Sequence, residues 1–119
     1  KEEAKDQVKL LLEVIKQTKE QFKAKEIILA LVGKVNAVIK AHKIDQQSYF
    51  GKGNKFDDKY WMALIRQILV NGFIEKDIES YGVIRLSSKG HDFIKNPESF
   101  MMSLDHELLL NLQVWQTKR

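Results

Sequence analysis

The hydrophobic period of this chain changes from helical to alternating at Phe73 and back to helical after Leu86, and few folds accommodate that order. Residues 6 to 22 place Val8, Leu11, Leu12 and Ile15 on one stripe, with Asp6 as the expected N-cap. Lys25 to Leu31 reads as a second, shorter helix, broken at Val32-Gly33-Lys34, and helical spacing resumes from Val35 to His42. Two short helices joined through a glycine turn have the form of a helix-turn-helix. Asp57 or Asp58 then caps a fourth helix that turns Trp61, Leu64, Ile65, Ile68 and Leu69 inward and stops at Asn71-Gly72. Phe73 to Glu75 and Val83 to Leu86 alternate as strands around the polar tip Lys76 to Gly82, which predicts a hairpin. Ser87 or Ser88 caps a last helix through Phe93 and Ile94, closed by Asn96-Pro97. The expected fold is therefore mainly α with one small β-hairpin, a winged helix.

With 119 residues there is room for one hydrophobic core, and we expect the domain to occupy residues 1 to 97. Residues 98 to 119 have no clear place in a winged helix and are expected to form a linker or packing tail, helical around Glu107 to Trp115. The longest apolar run falls well short of the ~20 residues that cross a bilayer, so no membrane partner is expected. There is no cysteine, and His42, His91 and His106 lack ligand spacing, so we expect no metal site. No nucleophile is paired with a base and no carboxylates cluster, so the segment itself is expected to be catalytically inert and to hold no cofactor. Lys1 enters a helical pattern directly, without a secretory leader, as expected of a piece of a longer cytoplasmic protein.

Charge is concentrated rather than large. Residues 23 to 55 carry seven lysines against Glu26 and Asp45, which leaves +5 in a chain whose total is +4. A local excess of cations suits a phosphate-facing surface, because each neutralised phosphate releases condensed counterions. Within this segment, Gly51 and Gly53 would let the backbone approach a phosphate, Lys52 and Lys55 would supply charge, and the helix beginning near Asp58 would offer free N–H groups. The loop lacks the Lys-Ser/Thr and the preceding strand of a Walker loop, so no nucleotide site is expected. Gly33, Lys34 and Asn36 at the turn of the helix-turn-helix, with Arg85 and Lys89 around the wing, complete the expected phosphate surface. Arg66 is set aside as a possible internal salt-bridge partner.

Several linked motifs resemble the C-terminal winged-helix (RQC) domain of RecQ-family DNA helicases over roughly residues 8 to 97. They are Phe50-Gly51-Lys52-Gly53, the aromatic pair Tyr60-Trp61, Ala63-Leu64-Ile65-Arg66-Gln67-Ile68-Leu69, Gly72-Phe73-Ile74, and Tyr81-Gly82-Val83-Ile84-Arg85-Leu86 running into Ser88-Lys89-Gly90. Where that family often has Arg-Gly at the turn of the helix-turn-helix, this chain has Val32-Gly33, which leaves phosphate binding there to Lys34 and backbone N–H groups.

The resemblance implies binding of double-stranded or forked DNA, with the hairpin wedged at the first base pair. Tyr81, beside Gly82 at the tip, is the candidate strand-separating residue, since an aromatic there can stack on an exposed terminal pair. It also implies a parent ATP-dependent 3′-to-5′ helicase of replication, recombination and repair, bacterial and nucleoid-associated. That parent would carry ATP and Mg on two motor lobes and a structural Zn on a segment upstream, and these parts of the same chain would be the domain's partners. Two other functions fit a winged helix. A transcription regulator would read bases with its third helix and dimerise. A protein-interaction module would use Phe100, Met101, Met102 and the leucine-rich tail as a docking patch.

Overall fold

Five helices and two small antiparallel sheets follow one another in a computed structural model that describes residues 2–103. The elements are β1 (Glu2–Glu3), α1 (Lys5–Gln17), α2 (Ala24–Val32), α3 (Ala37–Ala41), α4 (Asp58–Val70), β2 (Ile74–Asp77), β3 (Val83–Leu86), α5 (Ser88–Lys95) and β4 (Met101–Met102). Helices followed by a hairpin and a closing helix make this a winged helix. None of the described helices is long and apolar enough to cross a membrane.

The core lies where the apolar faces of α1, α2 and α4 meet the wing. Leu11, Leu12 and Ile15 of α1, Ile27 and Leu31 of α2, and Trp61, Leu64 and Ile68 of α4 are all buried, while Leu69 is only partly so. Each such side chain contributes about 1.5–3 kcal/mol on burial. α4 begins where the Asp57 carboxylate accepts the Tyr60 amide at 2.9 Å, and α5 where the Ser87 hydroxyl accepts that of Gly90 at 3.1 Å. In the wing, Ile74 pairs with Leu86, Glu75 with Arg85, Lys76 with Ile84 and Asp77 with Val83.

Helix α1 departs from expectation at both ends. It starts behind Ala4, not Asp6, because the buried Ala4 donates its amide to the Phe100 carbonyl (2.8 Å) and is fixed by the other end of the chain. Asp6 sits instead in the first turn, where it favours the helix dipole. The helix stops at Gln17, and its last carbonyls are paired within the turn that follows: the Thr18 amide and buried hydroxyl both meet Val14, and the hydroxyl and the Glu20 amide (3.1 Å) meet Ile15. The chain then turns through Lys19 and Glu20 at positive φ and runs beside the wing, where the Ile84 amide donates to the Phe22 carbonyl (2.9 Å).

Packing does not end at residue 97. β4 pairs with β1, Glu2 opposite Met102 and Glu3 opposite Met101, and Phe100 and Met102 enter the core. These two residues are therefore not a free docking patch, and Met101 alone of the three is exposed. The helix expected around Glu107 to Trp115 lies outside the described residues.

Glu3 holds the terminal ribbon together. Its carboxylate accepts the Ser99 hydroxyl, the Phe100 amide (2.8 Å) and the Lys5 amide (3.0 Å). The Ser99 hydroxyl first, and the Phe100 amide next, hold the Glu3 carboxyl below the usual carboxylate range. A depressed folded-state pKa means that this stabilisation is complete above the unfolded-state value and disappears as pH falls through the folded one. Acidification is therefore expected to open the ribbon before the core, seen as faster hydrogen exchange at the Ala4 amide. Glu3→Gln should remove that acid dependence; an unchanged acid profile in the variant would assign it to another group.

Candidate nucleic-acid interface

The glycine loop is docked onto the end of α2. Gly51 donates its amide to the Ala30 carbonyl (2.7 Å) and Gly53 donates to the Leu31 carbonyl (2.8 Å), satisfying two of the last carbonyls of that helix. Gly33 closes the helix in the left-handed conformation, and both its amide and that of Lys34 bond the Leu29 carbonyl. A Cβ on Gly33 would lie 3.2 Å from the Gly51 Cα, so the two glycines let the turn and the loop touch backbone to backbone. Gly53 is buried against Trp61: a Cβ there would come 2.6 Å from the indole, and its carbonyl accepts the indole N–H at 2.9 Å.

The phosphate cradle expected from Gly51 and Gly53 is therefore not built, because both amides point inward to α2. The start of α4 is likewise capped by its own aspartates, Asp57 on Tyr60 and Asp58 on Lys59. What the docking achieves is placement of side chains. It brings the Lys34 turn against the loop that carries Lys52 and Lys55, and all three lysines are exposed. Asn36 is partly committed, since its side-chain oxygen caps α3 by accepting the Ile39 amide at 2.8 Å.

Six of the seven lysines between residues 23 and 55 make no ion pair with any described residue; Lys40 alone does, with Asp45 at 3.1 Å. Arg66, set aside from the sequence, is also exposed and without an ion pair among the described residues. The helical spacing of Trp61, Leu64, Ile65 and Ile68 puts Arg66 on the opposite, solvent side of α4, and the packing agrees. α3 links the basic turn to the wing: it begins next to Lys34, and at its far end the His42 ring packs edge-on against Phe22 (4.9 Å), whose carbonyl receives Ile84 of β3.

Around the wing the expected contacts divide. Lys89 is occupied structurally, donating to the Asn71 carbonyl at the end of α4 (2.7 Å) and lying 4.6 Å from the centre of the Phe73 ring. Arg85 donates through Nε to the Asp77 carboxylate (3.0 Å), so its charge is partly answered within the wing. Tyr81 points out from the tip at φ 59° and is 84% exposed, beside Gly82. Ile78, which the sequence reading passed over among the polar tip residues, is equally exposed. The interface thus offers three lysines at one place and a bare aliphatic–aromatic tip at another.

The family model described as RQC domain matches residues 1–109 of this chain. No curated protein matches it.

Proposed function

Since the chain belongs to the RQC domain family, the DNA-binding domain of RecQ helicases, we propose that it grips duplex DNA by its phosphates through Lys34, Lys52 and Lys55. In this proposal the wing tip meets the first base pair at a junction between single and double strands. The observation that carries it is the tip itself: Tyr81 and Ile78 stand out in water at the end of a hydrogen-bonded hairpin, where neither contributes to the core. A flat ring so placed can cap an exposed base pair, and such stacking is worth about 1–3 kcal/mol per base. The lysines supply attraction without structural or sequence preference. Base readout by α3 is disfavoured by its five residues, which make less than one and a half turns. The parent enzyme in this proposal is an ATP-dependent helicase whose motor pulls one strand past the wing.

Binding to a forked duplex and to the same duplex sealed by hairpin loops, across a salt series, tests the proposal. Both affinities should fall with salt, with a log–log slope of about −0.9 for each phosphate contacted, and the fork should be favoured at every salt concentration. Equal affinity for fork and sealed duplex would remove the role of the wing, and affinity indifferent to salt would remove the phosphate contacts.

A further inference from the structure

Asp77 is out of place on a hairpin that approaches DNA, since a carboxylate there repels phosphate. Its geometry gives it another task. One carboxylate oxygen accepts the Ser80 amide (3.2 Å), the other accepts Nε of Arg85 (3.0 Å), and the Asp77 carbonyl accepts the Gly82 amide (2.8 Å). These three contacts close the turn Ile78–Ser80 from the residue that precedes it and tie it to the opposite strand. Within the turn the Tyr81 amide bonds the Ile78 carbonyl (3.1 Å), and Tyr81 is held in the left-handed region that a residue with a Cβ seldom adopts unaided.

We propose that Asp77 is the positioning residue of the wing, fixing Ile78 and Tyr81 outward as a two-pronged apolar tip that is preset before DNA arrives. This deepens the function proposed above and rests on it. Arg85 serves the same end, as the cation that keeps Asp77 in place and offsets its charge toward the phosphates. Without Asp77 the turn loses its cap and its cross-strand tie, and the two prongs sample many directions, so that capping a base pair requires ordering them first.

The sign of the effect separates this from simple electrostatics. Removing a negative charge next to DNA should by itself tighten binding to every duplex, whereas loss of a preset tip should lower the preference for a fork. Asp77→Ala is expected to reduce the ratio of fork to sealed-duplex affinity about tenfold, the same drop expected of Tyr81→Ala, in line with the loss of one stacking contact. Asp77→Asn keeps an acceptor for the Ser80 amide and should restore part of the ratio. In an Ile78→Ala/Tyr81→Ala background, Asp77→Ala should leave the ratio where it is, because a residue that acts through the prongs has nothing left to position. A parental ratio in Asp77→Ala, with the ratio lowered in Tyr81→Ala, would overturn the assignment of Asp77 alone. A parental ratio in both would overturn the reading of the wing and this assignment with it. A further drop in the double-alanine background would also overturn it, by locating the action of Asp77 elsewhere.

Discussion

Trp61→Ala is expected to lower the unfolding free energy by about 3–5 kcal/mol, the range for removing a buried aromatic from a packed core. Trp61 is fully buried and lies edge-on to Phe56 and Tyr60, with its indole N–H on the Gly53 carbonyl. Its loss opens a cavity and takes from the Gly53 carbonyl one of its two donors, leaving the Phe56 amide. A domain of this size has about 5–15 kcal/mol in total, so the variant stays folded but close to its limit. Urea unfolding of parent and variant measures the change, and a difference under about 0.5 kcal/mol would mean that the site collapses around the gap. The loop should respond more than the rest. Trp61 is the wall on which Gly53 rests, and tryptic cleavage after Lys52 and Lys55 should accelerate under native conditions, ahead of cleavage within the helices. Trp61→Phe separates the two contributions: it fills most of the volume but removes the indole donor, leaving the Gly53 carbonyl to the Phe56 amide alone, at a cost of about 0.5–1.5 kcal/mol.

The same residues mark how far the sequence could be read. Helices α1, α2, α4 and α5 and the wing were legible because each carries its own period, and the caps of α4 and α5, Asp57 and Ser87, stand directly before the helices they start. The start of α1 was not, because what fixes it comes from Ser99 and Phe100 at the opposite end of the chain. β4 escaped because two residues cannot display a period. Gly51-Lys52-Gly53 has the composition of a phosphate loop, and composition is local. The groups that consume its amides, the carbonyls of Ala30 and Leu31, lie some twenty residues earlier, and no spacing rule connects them.

The wing tip shows the converse. The polar tip carries the acids Asp77 and Glu79, which phosphate would repel, yet Asp77 is answered by Arg85, its diagonal neighbour across the hairpin. That pairing follows from the register Asp77 opposite Val83, and could have been inferred once the register was known. The Asp77 carboxyl is held below the usual carboxylate range, by its hydrogen bond from Arg85 first and by the bond to Ser80 next, so it stays ionised wherever the domain is folded at neutral pH. Ile78 was hidden by its neighbours: one aliphatic residue among charges reads as noise until its exposure is known.

Replacing Lys34, Lys52 and Lys55 together by alanine is expected to weaken binding to every duplex by the same factor and to make the salt slope shallower by about 2.7, if each lysine meets one phosphate. The loss should be large at low salt and vanish progressively as salt rises, because what the lysines contribute is mainly counterion release. Fold stability should change little: all three side chains are exposed and none makes an ion pair with a described residue, while the backbone bonds that dock the loop do not involve their ammonium groups. The ratio of fork to sealed-duplex affinity should be untouched. Ile78→Ala/Tyr81→Ala should do the reverse, keeping the slope and lowering the ratio, because stacking releases few counterions. Restored to a full-length helicase, the tip variant should hydrolyse ATP normally and unwind forks slowly, whereas the lysine variant should recover its rate when DNA is raised to saturation. A tip variant that unwinds at the parental rate would leave the domain as a duplex anchor, and a lysine variant with an unchanged slope would move the phosphate contacts to other cations, with the exposed Arg66 and Lys43 the next to be replaced.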